Sequence, residues 1–198
     1  MSITLDKKLN AYRVGGDVHF RVTSPLAPFY SPEFLTKEEQ EFYMNRGTAA
    51  HEAIRLWLQG KLPTITTLHP EIKGMVKAFI DWWRNSGATL VACEMLVSSK
   101  EFRVAGRVDI VADMGRYRWI IDVKTGTGSK PKKATAMQTA IYAKAYKETT
   151  GYEEHVKRLG LLCRPDGKAK PEPYDDPYDL VAYRTLLSAY AVTRRYAG

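Results

Sequence analysis

Apolar positions along this chain recur at helical spacing in some stretches and with the short period of strands in others. Tyr12-Arg13-Val14 and Val18-His19-Phe20-Arg21-Val22 flank Gly15-Gly16-Asp17, which reads as a short hairpin. Pro25, Pro28 and Pro32 then interrupt any regular element. From about Thr36 the pattern turns helical: His51, Ile54 and Leu58 stand at i, i+3 and i+7, and Gly60 stops the run. Pro70 opens a second helix carrying Met75, Val76, Phe79, Ile80 and Trp83, which ends near Ser86-Gly87. The period then shortens. Residues 89–97, 102–112 and 117–123 are rich in β-branched and aromatic residues, and short turns separate them, so they predict an antiparallel meander. A lysine-rich loop leads to a helix over about 134–149, closed by Gly151, and then to a strand over roughly 156–163. Residues 167–173 are expected to be a Pro/Lys-rich linker or turn. Asp176-Pro177 should open a last helix towards Tyr196, with Asp as cap and Pro at the first helical position.

The order helix, helix, three strands, helix, strand, helix implies an α/β sandwich, a mixed sheet with helices packed on its faces. Residues 1–35 are expected to form an N-terminal hairpin and irregular segment, and 36–198 a single domain. The 44% hydrophobic and 26% charged content is ordinary for a globular protein, whereas the pI of about 9.4 and net charge of +8 favour a polyanionic partner. Nucleic acid is the commonest such partner, although many basic proteins bind none. Cys93 and Cys163 both lie in apolar runs and read as buried thiols, and two cysteines build neither a disulfide framework nor a four-cysteine cluster. The first residues lack the apolar segment of a signal peptide, and no run of apolar residues is long enough to span a bilayer. A protein of a reducing cytoplasm without membrane attachment is therefore expected.

The chemistry gathers on the meander. Asp109 stands in the apolar run Gly106-Arg107-Val108-Asp109-Ile110-Val111, and Asp122 in Trp119-Ile120-Ile121-Asp122-Val123-Lys124. An unpaired carboxylate is costly in either place. Strand alternation puts Asp122 and Lys124 on one face, and a short turn between neighbouring strands brings Asp109 near them. Two crowded carboxylates repel unless a cation lies between them, and such oxygen ligands suit Mg²⁺ or Mn²⁺. Lys124 would add a positive charge able to orient a water or stabilise a developing oxyanion. On spacing alone, an Asp–Lys ion pair at a strand end explains the same residues.

Gly106-Arg107-Val108-Asp109, thirteen residues before Asp122-Val123-Lys124-Thr125-Gly126, resembles the core signature of the PD-(D/E)XK nuclease superfamily. It is most similar to the RecB-like exonuclease branch, with phage-type stand-alone exonucleases as the nearest kind. Gln138-Thr139-Ala140-Ile141-Tyr142 resembles that branch's Q-x-x-x-Y helix motif, and Arg46-Gly47-Thr48-Ala49-Ala50-His51 its upstream histidine helix. The resemblance covers about residues 46–163. It implies a restriction-endonuclease-like mixed sheet flanked by helices, in αβββαβ order. It further implies that Asp109 and Asp122 bind one or two Mg²⁺ or Mn²⁺ ions, with the Val123 carbonyl and the His51 imidazole completing the shell. Lys124 would be the catalytic lysine, and Gln138 and Tyr142 would place the lysine or the DNA strand. Glu94 matches an acidic position of related phage exonucleases. Without this context His51 reads as a core histidine, and Glu94 as a partner for Arg103 or Arg107 across the meander.

Between Val123 and Lys147 there are six lysines (Lys124, Lys130, Lys132, Lys133, Lys144, Lys147) and no carboxylate. Lys130, Lys132 and Lys133, with Arg46 and Arg107, are candidate DNA contacts of a sequence-independent kind, unless the loop is merely solvated. Gly126-Thr127-Gly128-Ser129-Lys130 is not a P-loop, because Lys130 precedes Pro131 rather than Ser or Thr. The iron–sulfur cluster of some RecB-like relatives needs four cysteines and is not expected. The function implied is a metal-dependent DNA exonuclease leaving 5′-phosphates, in recombination, repair or phage DNA processing, with a recombination protein as a further partner. A non-catalytic DNA-binding scaffold and a structure-specific endonuclease are the alternatives. Polarity, strand preference and oligomeric state are open from the sequence.

Overall fold

The structure is a computed structural model that describes residues 2–30, 35–129 and 133–196. Its elements, in chain order, are β1 (Ile3–Asp6), β2 (Ala11–Val14), β3 (Asp17–Arg21), a 3-10 turn (Ser24–Leu26), α1 (Ala27–Tyr30), α2 (Lys37–Leu58), α3 (Pro70–Ser86), β4 (Thr89–Ser99), β5 (Val104–Met114), β6 (Tyr117–Thr125), α4 (Ala134–Thr150), β7 (Val156–Cys163), β8 (Ala169–Tyr174) and α5 (Tyr178–Tyr196). Among the described residues they build one mixed sheet in the order β1-β2-β3-β5-β6-β7-β8, with β4 paired to β5. The β4–β5–β6 meander is antiparallel, while β3–β5 and β6–β7 are parallel.

Local chemistry explains most boundaries. Gly15 and Gly16 take φ of 58° and 101°, the positive values that a two-residue hairpin turn demands, and β2 and β3 pair around them. Thr36 and Glu39 form a reciprocal capping box at the start of α2. Asp176 accepts from the Tyr178 N–H and so caps α5, as Asp-Pro predicts. One expectation fails. Of residues 167–173, only Gly167 and Lys168 lie in a turn; from Ala169 the chain forms β8, which pairs antiparallel with β7. Pro171 and Pro173 are two apart, so both missing N–H groups fall on the outer side of a terminal strand, where they cost no ladder hydrogen bond. β1 also has no counterpart in the sequence pattern.

Two apolar cores lie on opposite faces of the sheet. One packs α2 and α3, through Ile54, Met75, Val76 and Phe79, against Ile110, Ile121, Val123 and Leu161. The other packs α4 and α5, through Ile141 and Tyr183, against Val104, Val108, Val111 and Ile120. Val22 and Leu26, from the N-terminal segment, are fully enclosed in this second core. α4 buries eleven residues, many of them alanine, and this small-residue surface brings Gln138 and Tyr142 close above β5 and β6.

Candidate active site

A fork in the sheet makes the site. β4 flanks β5 on one side. On the other side β3 pairs with β5 only at Val104 and Ala105, and β6 pairs with it only from Ile110 onwards. Among the described residues, Gly106 to Asp109 therefore has no strand partner on that side, and a cavity of about 450 Å³ opens there. The ladder's end leaves the Val123 N–H without a strand partner, and the Asp109 carboxylate accepts it at 2.8 Å. Gly106 is required by sterics: a Cβ there would stand 2.8 Å from the Tyr142 ring and 2.9 Å from its hydroxyl.

His51, on α2, approaches Asp109 from the other face, with Nδ1 3.8 Å from Asp109 Oδ2, and its ring is hydrogen-bonded to the backbone of Val123. Glu94 sits across from Asp109, because its neighbours Cys93 and Met95 pair with Ile110 and Val108. Its φ of +53° is left-handed inside a strand, a conformation costing about 1–3 kcal/mol. Ligand atoms of His51, Glu94 and Asp109 all lie within 4.8 Å of one another. Glu94 also pairs with Arg107 at 3.3 Å, the cross-meander partner that its position in the sequence suggested.

Asp122, only 2% exposed, stands on the α4 side with Lys124. Its Oδ1 accepts from Gln138 Nε2 at 2.7 Å, and its Oδ2 lies 2.8 Å from Lys124 Nζ. That Oδ2 is buried without a well-directed hydrogen bond. Lys124 Nζ donates to Gln138 Oε1 at 3.2 Å. Tyr30, which no spacing in the sequence singled out, donates to the same Oε1 at 2.8 Å, and its ring centroid lies 5.0 Å from the Lys124 ammonium. Tyr30 is 108 positions from Gln138 and stands in a proline-interrupted stretch without periodicity. Only the folded chain connects them.

Burial and neighbouring charges together set the protonation of the site. Desolvation raises the Asp109 pKa well above the carboxylate norm; Asp122 adds to this and Lys124 opposes it. Burial alone would lower the Lys124 pKa, but Asp122, Tyr30 and Asp109 reverse that and hold it protonated. For His51, burial and then Lys124 lower the pKa, which leaves a neutral imidazole. Tyr142 and Tyr30 stay protonated, chiefly through burial.

Of the residues singled out by sequence, His51, Asp109, Asp122, Val123, Lys124, Gln138, Tyr142 and Arg107 all line the fork cavity, and Glu94 stands behind it beside His51 and Asp109. Asp122 does not join the His51–Glu94–Asp109 group; Lys124 and Gln138 hold it instead. Arg46 stacks over Tyr43 and Phe42, and Lys133 is exposed before α4. Lys130 and Lys132 lie outside the described residues.

The sequence profile of the PD-(D/E)XK nuclease superfamily matches residues 33–188. This chain belongs to that superfamily. Its fold is shared with the crystal structure named "Putative exonuclease" from Eubacterium rectale, at 12% identity and a TM-score of 0.52. That match covers 76% of this chain and 66% of the other, so this PD-(D/E)XK chain spans just under two thirds of that protein's length. The crystal structure of SSO0001 matches with 14% identity over 86% of this chain and 83% of that one, at a TM-score of 0.37. No curated protein matches in sequence. PD-(D/E)XK nucleases use divalent metals, and the donor set here fits one: imidazole nitrogen and carboxylate oxygens gathered together, an under-satisfied buried Asp122 oxygen, and an Asp109 carboxyl whose ionised form burial and Asp122 disfavour and a cation would favour.

Proposed function

We propose that this PD-(D/E)XK protein is a Mg²⁺- or Mn²⁺-dependent DNA exonuclease of the RecB-like kind, acting in recombination, repair or phage DNA processing. One observation carries the reading. The His51–Glu94–Asp109 group and the Asp122–Lys124 pair, at 2.8 Å, meet at one fork where β5 has shed its strand neighbour. A structural ion pair alone would need neither a left-handed Glu94 nor a His51 imidazole beside Asp109.

His51, Asp109 and Glu94, with Asp122 alongside, would hold the ion, which when bound supplies Lewis acidity towards a phosphate oxygen. Protonated Lys124 is a donor and not a base: it would orient the attacking water and meet charge that develops on the phosphoryl oxygens. Gln138 has both ends of its amide engaged, on Asp122 and on Lys124 with Tyr30, and so fixes where that ammonium points. Tyr142 closes the wall over Gly106. The RecB-like motif set and the exonuclease name of the Eubacterium rectale structure support an end-directed mode.

The test is digestion of end-labelled linear single-stranded and duplex DNA, and of covalently closed circles, with Mg²⁺, Mn²⁺ or EDTA. Metal-dependent loss of linear DNA, intact circles, and no activity in folded Asp122→Ala and Lys124→Ala are expected. Undiminished activity in both variants would overturn the site, and nicking of circles would overturn the exonuclease mode.

A further inference from the structure

The fork cavity continues into a second, apolar groove. Thr23 lines both, and Tyr30, whose ring faces the Lys124 ammonium, forms the wall beyond it. This groove has a volume of about 420 Å³, and Leu35, Gln40, Tyr43 and Met44 form its far side. Among the described residues no carboxylate lines it. It runs along the first turns of α2, where Phe42, Tyr43 and Met44 are 48%, 45% and 71% exposed. Three successive residues cannot share one helix face, so this is not the inner stripe of an amphipathic helix. The buried residues of α2, Ala50, Ala53 and Ile54, all lie further on. Arg46 lies against the same rings, its guanidinium carbon 4.8 Å from the Tyr43 centroid and 5.7 Å from that of Phe42. The Tyr43 ring in the groove, the Phe42 ring and Arg46 guanidinium next to it, and the Lys124 ammonium against Tyr30 match the chemistry that holds unpaired bases and the phosphates between them.

We infer that this groove is a stacking platform for unpaired nucleotides adjoining the phosphodiester in the fork, so that the protein takes single-stranded or frayed ends in preference to closed duplex. The inference rests on the nuclease reading for what lies in the fork. Its other observations are independent of that reading: continuity with the fork through Thr23 and Tyr30, and the cations Lys124 and Arg46 that lie against Tyr30 and Tyr43. A duplex presents no free base faces to such a ledge, whereas every unpaired base does.

The experiment uses the full chain, the double variant Phe42→Ala/Tyr43→Ala, and a Phe42→Leu/Tyr43→Leu variant that keeps apolar bulk without a π-face. Binding of a labelled single-stranded oligonucleotide and of a blunt hairpin duplex is measured in EDTA, where nothing is cut. Hydrolysis of the single-stranded oligonucleotide is then followed with Mn²⁺. Both variants should bind the single strand about tenfold or more weakly, the loss of one or two stacked bases, and leave duplex binding unchanged. KM for the single strand should rise by the same factor while kcat is kept. Equal single-strand binding by wild type and variants would overturn the platform and leave the patch to a protein partner. So would equal losses on single strand and duplex, or full rescue by leucine. A wild-type protein that cuts nothing overturns the nuclease reading alone, because the metal-free binding comparison decides the groove by itself.

Discussion

Asp109 must carry a negative charge in a place that resists one. Burial is the largest influence raising its pKa, Asp122 and Glu94 add to it, and Lys124 with the Val123 N–H only partly offsets them. The folded state therefore holds this proton more tightly than the unfolded chain does. The stability that Asp109 contributes is complete below the ordinary carboxylate value of about 4 and is lost as pH climbs through the raised folded value. In metal-free protein this residue should thus weaken the fold at pH 8 relative to pH 5.5, and a divalent ion should restore what is lost. Asp109→Asn tests the argument, since asparagine keeps an oxygen to accept the Val123 N–H and carries no charge. Thermal unfolding with EDTA at pH 8 should show the variant melting higher than wild type, by about 2–4 °C for each kcal/mol of relieved repulsion. Mn²⁺ should raise the wild-type midpoint and leave the variant's unmoved. A lower midpoint for the variant at pH 8 would show that Asp109 stabilises the metal-free fold, contrary to this account.

At the scale of elements, period and punctuation made most of the fold readable. The meander, the α4 helix and the Asp176 cap follow from alternation, apolar spacing and turn residues, and they bring Asp109, Asp122 and Lys124 together as expected. The fork was not readable, because alternation says which face a side chain takes and not where a neighbouring strand leaves. Nor was the backbone of Glu94, since a left-handed residue inside a strand is imposed by its surroundings. β8 was hidden by prolines that are breakers in a central strand and harmless at the sheet's end. Gly74 on α3 shows the same limit and can be tested. By helix propensity, Gly74→Ala ought to stabilise α3 by about 1 kcal/mol. The tertiary structure reverses the sign, because an added Cβ would fall 1.8 Å from the Pro165 carbonyl oxygen in the turn between β7 and β8. The helix must then lift from that turn, at a cost of about 1–3 kcal/mol. Urea unfolding should show a lower midpoint with an unchanged slope. A midpoint at or above wild type would mean that α3 does not rest on the turn.

For the molecule as a whole, the decisive question is how far the first thirty-odd residues are part of the nuclease body. The sequence pattern set 1–35 apart as a hairpin and irregular stretch, and the superfamily profile begins only at residue 33. In the folded chain β3 adds to β5 in parallel, and Val22 and Leu26 are enclosed in the core under α4 and α5. The two ends of the described chain meet there as well. The Tyr183 hydroxyl of α5 donates to the Val22 carbonyl at 3.0 Å, and Phe20 packs edge-on against Tyr190 at 5.3 Å. Each large apolar side chain so enclosed contributes about 1.5–3 kcal/mol, against a net stability of about 5–15 kcal/mol for a typical domain. Losing Val22 and Leu26 together, with the strand pairing beside them, removes a large share of that margin. A chain begun at residue 36 should therefore show no cooperative thermal transition at 25 °C or above, and should expose apolar surface to a reporter dye. Adding back residues 1–35 as a separate peptide should restore part of the transition, since the lost contacts are made by that segment alone. If the shortened chain instead melts cooperatively near the wild-type midpoint, the N-terminal segment is an accessory to a self-sufficient body. Tyr30 would then be the feature that matters in it, as a residue it supplies to the Lys124–Gln138 contact.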